Sequence, residues 1–341
     1  MNKLDDTARA EIRTELEQLE ECLTLVRSRA AGEAEGLFGP RSAMWRYTRE
    51  VALPMVGMRA VMLQIAHPAV ASAGVRNSRF REEFLPRAWR TFSAMYCIQF
   101  GTLEEAMRSA RRVHAMHCRV RGTVLPEASR TKAGTPYRGN DPALLGWVLA
   151  TMIESGILAF ELLLEPLSAV EKERFYQEMR LLGLVLGLPD DGMPPTFEEF
   201  SRYFDRMLES DELEVGGVAL DLSHFLFTKG WSAGQVDEVW AAGLLPERFR
   251  EAYRLPWSRP RRFVFDRMRG QARRTLKRLP SALRYVPAYH QASMRVALAC
   301  GEKPTATARV VNRLDSWRDL PLSLEPIRDP GPIGALPADP Q

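Results

Sequence analysis

The chain has 341 residues, of which 45% are hydrophobic and 26% charged, with a net charge of +4. That is enough apolar material for one large core, and too little charge to point to nucleic acid as a partner. The four cysteines, Cys22, Cys97, Cys118 and Cys300, form no Cys-x-x-Cys pair, which excludes a zinc ribbon, a disulfide framework and covalent c-type haem; Met1 to Arg13 is too charged for a secretion signal, so the cytoplasm is the expected compartment.

Leu4, Ala8, Ile12, Leu16, Leu19, Leu23 and Val26 recur at three- and four-residue spacing. They predict an amphipathic opening helix that ends near Gly32, set off as residues 1–35, and its apolar stripe must cover either this chain or a partner subunit. From Met55 to Ala66 the residues are almost all apolar, which predicts a helix buried on every side. Proline at 68 should break it around Gln64 to Pro68, because the ring removes a donor and clashes with the preceding turn. His67 at that break either bonds to the freed backbone groups or stands in a pocket wall.

Asn77 and Ser78 suit a short helix cap, and Pro86 suits a first-turn position in the next helix. In that helix Trp89, Phe92, Ser93, Tyr96 and Phe100 form one face and Ala94, Met95 and Ile98 another, so it is expected to lie between two layers. Arg87 and Thr91 fall on the second side, with Arg90 on its flank. A guanidinium turned inward needs an anionic or strongly polar partner.

Thr102-Leu103-Glu104-Glu105 is a capping box, which predicts a helix from about Leu103 to Gly122. Leu103, Met107, Ala110, His114 and His117 lie on its inner stripe and Arg108, Arg112 and Arg119 opposite. Two imidazoles turned inward must each satisfy two ring nitrogens, either with backbone acceptors or with a metal.

Asp141-Pro142 opens an apolar helix through Leu164, whose uninterrupted run from Ala143 to Ile153 is too short to span a bilayer. Ser168-x-x-Glu171 and Thr196-x-x-Glu199 are further capping boxes. No stretch shows sustained period-two alternation, so the fold class is all-α, with one domain over residues 36–311. Arg259 to Arg278 is strongly basic, which reads as a solvated face or a peripheral contact with anionic lipid. The Pro-rich stretch 312–341 is expected to be a disordered tail.

The inventory lacks His-Glu-x-x-His, any Glu-x-x-His, a phosphate-binding glycine loop and a Gly-x-Ser-x-Gly elbow. What remains suits haem b: an imidazole for the iron, cationic and hydroxyl groups for propionates or oxygen, and methionines and aromatics for the macrocycle. Two other readings stay open. One is a haem-binding sensor or carrier without catalysis; the other is a non-haem metal hydrolase in which His67, His114 and His117 hold the ion with a carboxylate such as Glu154.

Leu37-Phe38-Gly39-Pro40, Leu63-Gln64-Ile65-Ala66-His67-Pro68-Ala69-Val70, Arg87-x-x-Arg90-Thr91, Val113-His114-x-x-His117 and Tyr137 to Trp147 occur in an order that resembles one family. It is the haem-dependent oxygenase family of the latex-clearing rubber oxygenases and the MpaB-type enzymes. The resemblance implies a globin-like helical core around non-covalent haem b, with His117 as the proximal iron ligand and His114 beside it. It also implies that Arg87 and Thr91 act near the haem, and that Arg90 stands where rubber oxygenases carry a distal lysine. Guanidinium stays protonated and is a poor iron ligand. No carboxylate lies between His67 and Arg81 to match the family's base. The activity implied is cleavage of a carbon–carbon double bond in a small apolar substrate, an isoprenoid among the candidates, by dioxygen. The low net charge and the short apolar run, not the resemblance, argue against nucleic acid and a transmembrane segment.

Overall fold

The computed structural model describes residues 6–76, 84–229 and 235–313. Its first part contains α1 (Asp6–Arg29), α2 (Ala43–Thr48), a 3-10 turn (Leu53–Val56), α3 (Gly57–Ile65), α4 (Pro68–Arg76), α5 (Phe84–Phe100) and α6 (Leu103–His117). An antiparallel hairpin follows, β1 (Arg121–Thr123) with β2 (Pro136–Arg138), in which Gly122 pairs with Tyr137. The central helices are α7 (Pro142–Leu163), α8 (Ala169–Val185), α9 (Phe197–Glu209) and α10 (Gly217–Lys229). Next come α11 (Gln235–Leu244), α12 (Glu247–Ala252), α13 (Arg259–Arg278), α14 (Ser281–Arg284), α15 (Pro287–Ala299) and α16 (Ala306–Arg313). The fold is all-α apart from the hairpin.

The fold centres on α7. Asp141 caps it by accepting from Ala143 and Leu144 N–H, and Pro142 occupies the first turn, where a missing donor costs nothing. Its Trp147, Ile153, Ala159 and Leu163 are buried, and it packs against α3, α8, α13 and the 3-10 turn. Length and apolarity alone would let α7 cross a membrane, yet 67% of its most apolar window is buried inside the protein. Its all-round apolar character thus serves the core.

The apolar stripe of α1 covers this chain: Leu19, Leu23 and Val26 join the main hydrophobic cluster, and the helix packs on α8 and α6. The break before Pro68 falls where the proline chemistry puts it, between α3 and α4. The stretch before it is not buried on every side. Met55 is 37% exposed, one side of α3 faces a cavity, and the helix carries a buried charge, Arg59, that bonds to Leu244 O, Ser155 Oγ and Glu154.

The capping boxes at Thr102 and Ser168 both form, while Thr196 accepts from Glu199 N–H. However, α6 stops at His117, short of Gly122. Val120 N–H donates to His117 O, and Arg121 Nε donates to Cys118 O, so side-chain and turn bonds replace the continuing helix. Gly122 instead lies within β1, where a Cβ would come 2.7 Å from the Tyr137 hydroxyl. A three-residue strand gives too short a run to register as alternation, which is why the hairpin is invisible to periodicity. The expected cap at Asn77 and Ser78 and the tail beyond Arg313 lie outside the described residues.

Candidate active site

Between α3, α4, α5, the hairpin, α7, α11 and α13 lies a cavity of about 800 Å³. That is towards the upper end of the ~300–1,000 Å³ usual for small-molecule and cofactor sites. Val61, Ile65, Leu145, Val148, Leu226 and Trp240 are among its mainly apolar walls. Among the described lining residues, Gln64, Thr91, His117, Tyr137, Arg138 and Asp237 carry polar groups that interrupt them.

His117 is the last residue of α6 and half-buried, and it stands on the cavity wall. Backbone on the facing loop fits closely against it. A Cβ on Gly139 would fall 2.6 Å from His117 O and 2.8 Å from Val120 Cβ, so only glycine lets the chain leave β2 this near the imidazole's turn. Gly139 N–H donates to Val120 O at 2.7 Å, which closes the hairpin on the helix end. Also in the lining, Gln64 Nε2 donates to Thr151 Oγ1 at 2.9 Å, and that hydroxyl donates to Val148 O at 2.7 Å. The amide is thereby held in one orientation.

The structure does not bring His114 to this cavity. Residues three apart on a helix differ by about 60° in direction, enough to send one imidazole to the cavity and the other into a seam with α1. His114 is 3% exposed, its Nε2 lies 3.1 Å from Glu15 O, and its ring meets the turn at Gly187. Burial lowers its pKa, so the imidazole is neutral.

Around it Asn140 Nδ2 lies 3.0 Å from Glu15 Oε2 and 3.1 Å from Cys118 Sγ. Arg121 pairs with Glu15 at 3.2 Å and Arg138 at 3.8 Å. Burial and then Glu15 push the Cys118 thiol up to about 12, which keeps it protonated. Among the described residues, Glu15, His114 and Cys118 form a group close enough to hold a metal ion, with ligand atoms within 4.8 Å of one another. The Asn140 amide already lies between them, and two guanidiniums already neutralise the carboxylate. The cluster therefore works as a polar clamp of α1 on α6.

His67 does not line the cavity either. It is the cap of α4, its carbonyl accepting from Ala71 N–H and its Nδ1 from Ala69 N–H at 3.3 Å. Burial lowers its pKa, which preserves the acceptor lone pair that the cap needs. Glu154 is held by Arg59. His67, His114, His117 and Glu154 thus stand in four separate places, which removes the non-haem hydrolase arrangement.

On α5, Thr91 is exposed at the cavity edge, whereas Arg90 is exposed and outside the lining. Arg87 lies one turn before Thr91 in the same helix, and its side chain is outside the described residues. Met95 and Ile98, on the second face of the helix, do not line the cavity; Ala88 and Phe92 do. Arg138, Asp237 and Gln64 escaped the sequence reading as site residues. Arg138 and Gln64 belong to motif segments, but Asp237 reads only as an ordinary acid in a helix's first turn, with nothing local to mark it.

The sequence model of the family described as "ER-bound oxygenase mpaB/B'/Rubber oxygenase, catalytic domain" matches residues 45–274. Curated relatives include an uncharacterised protein of Mycobacterium bovis and one of Mycobacterium tuberculosis. Each is 24% identical over 216 residues, which is 60% of this chain and 82% of theirs. No solved structure gives a significant match.

Proposed function

Because this chain belongs to the mpaB and rubber oxygenase family, whose catalytic domain spans its residues 45–274, we propose that it binds haem b and uses dioxygen to cleave a carbon–carbon double bond of a small, apolar, isoprenoid-like substrate. The observation that carries this reading is one imidazole, His117, on the wall of an apolar cavity of about 800 Å³.

The residues present fit the group. A largely apolar macrocycle would need apolar walls, one donor for its iron, and cations for its carboxylates. His117 would supply the donor, and Arg138, a lining residue loosely paired with Glu15 at 3.8 Å, would supply a cation. When bound, the haem supplies the redox-active iron that activates dioxygen for the substrate.

The remaining chemistry falls to the chain. Gly139 and the hairpin hold the turn that carries His117, and the Gln64–Thr151 bond keeps a polar amide from swinging into the substrate space. Thr91 offers a hydroxyl at the cavity edge, and Arg87, one turn earlier, offers a cation to stabilise negative charge that develops on oxygen. Arg90 is exposed and outside the lining, and a guanidinium is a poor ligand, so it does not serve the iron. Among the described lining residues Asp237 is the one carboxylate, and it takes the place of the base that the stretch before Arg81 does not supply. The walls exclude water and select an apolar substrate.

An absorption spectrum with pyridine haemochrome analysis tests cofactor binding, and an alkene panel under dioxygen, read by mass spectrometry for carbonyl products, tests turnover. Haem-loaded protein without products would leave a carrier or sensor. Protein that stays colourless after hemin reconstitution would remove the reading.

A further inference from the structure

α13 concentrates the positive charge of the molecule. It carries nine cations and one acid, while the whole chain has a net charge of only +4, so the rest of the protein is net negative. Its inner side carries buried Phe265 and Leu276, with Met268 and Ala272 on the cavity wall. Turned to solvent are Arg259, Arg267, Arg274, Lys277 and Arg278, all exposed. The two cations with acidic partners, Arg261 with Glu238 and Arg269 with Asp266, are less exposed than these.

A merely solvated face has no need of large apolar groups, yet Phe263 is 66% exposed in the middle of the cationic side and Val264 is 44% exposed next to it. Val264 lies one turn before the cavity-lining Met268. On α11, which packs against α13, Val236 is 61% exposed and also lines the cavity, and Met55 on the same lining is 37% exposed. Exposed cations, an exposed aromatic ring and exposed apolar residues of the cavity lining therefore occur together on α13 and on α11 packed against it. That combination matches the interface of an anionic bilayer, where guanidiniums meet headgroups and rings enter the acyl boundary. A nucleic acid would use the cations but give no role to Val264, Val236 or the cavity mouth.

We propose that α13 docks the protein on an anionic lipid surface, with Phe263 and Val264 in the interface and the cavity mouth facing the membrane. A substrate dissolved in the bilayer then reaches the cavity without crossing water; this last step rests on the proposed oxygenase function, while docking itself does not.

Full-length protein without added haem is floated with vesicles of phosphatidylcholine, alone or mixed with phosphatidylglycerol. Binding should be at least ~10-fold tighter to the anionic vesicles and should weaken as salt rises. Arg267→Glu combined with Arg274→Glu should abolish it, and Phe263→Ser should weaken it while leaving binding to a DNA duplex unchanged. Both variants alter exposed residues, and unchanged circular-dichroism melts verify the fold. Equal binding to neutral and anionic vesicles, no binding to either, or tighter binding to DNA with no effect of Phe263→Ser would overturn the proposal. Because haem loading is read separately, from the spectrum, failure of docking and failure of the oxygenase reading remain distinguishable.

Discussion

His114 and His117, three residues apart on α6, face different parts of the molecule: His114 lies against Glu15 in a closed polar seam, and His117 on the wall of the large apolar cavity. The two histidines of one motif therefore have separable effects. His117→Ala should lose most haem, read as the Soret band after hemin titration. His114→Ala should retain the band but cost about 1–3 kcal/mol of stability, because it strips a partner from a buried network. Equal haem occupancy and unchanged spectra in the two variants would place the iron elsewhere.

Gly139 offers a test of the same turn that does not touch the imidazole. A methyl group there meets His117 O at 2.6 Å, and overpacking of this kind costs about 1–3 kcal/mol. Gly139→Ala should shift the haem spectrum or speed haem loss to apomyoglobin. Wild-type spectra and off-rates would show that the close fit does not govern the ligand.

Arg59 is 3% exposed and reaches Leu244 O, Ser155 Oγ and Glu154. Burial raises the pKa of Glu154 while Arg59 opposes that rise. Removing the guanidinium leaves the half-buried Glu154 carboxyl and the Ser155 hydroxyl without this partner, so Arg59→Ala should destabilise by about 1–3 kcal/mol in urea unfolding. Combining it with Glu154→Gln should recover part of the loss; simple additivity would mean that the two groups are uncoupled.

Burial lowers the pKa of His67, His114 and His290 from the ordinary 6.5. A histidine held neutral by folding stabilises the protein fully above that ordinary value and loses the contribution as pH falls below it towards the folded value. The raised carboxyls of Glu154 and Glu178 oppose the trend as they take up protons. The clean measurement is thus a difference: His290→Asn should show a shallower fall of Tm below pH 6.5 than the wild type. Parallel curves would show that His290 does not titrate on unfolding.

If Asp237 is the base, Asp237→Asn should lower turnover of the alkene substrate by ~10²-fold or more, within the ~10²–10⁴-fold span of general acid–base effects, with an unchanged haem spectrum. Full activity would exclude the role.

The sequence by itself determined what depends on neighbours along the chain. Thr102, Ser168 and Asp141 set helix starts because their oxygens reach N–H groups two or three residues on, and Pro68 sets a break through its own ring. The helical class and the basic character of α13 follow in the same way, and short motifs in a fixed order were enough to point to the family. Only the tertiary structure decided which way each imidazole faces. His114 and His117 have the same local pattern, and what separates them is Glu15, 99 residues before the first, and the hairpin after the second. Arg59 and Asp237 were hidden for the same reason: a buried charge is recognised by distant partners and a cavity carboxylate by distant walls, and helical periodicity carries information about neither.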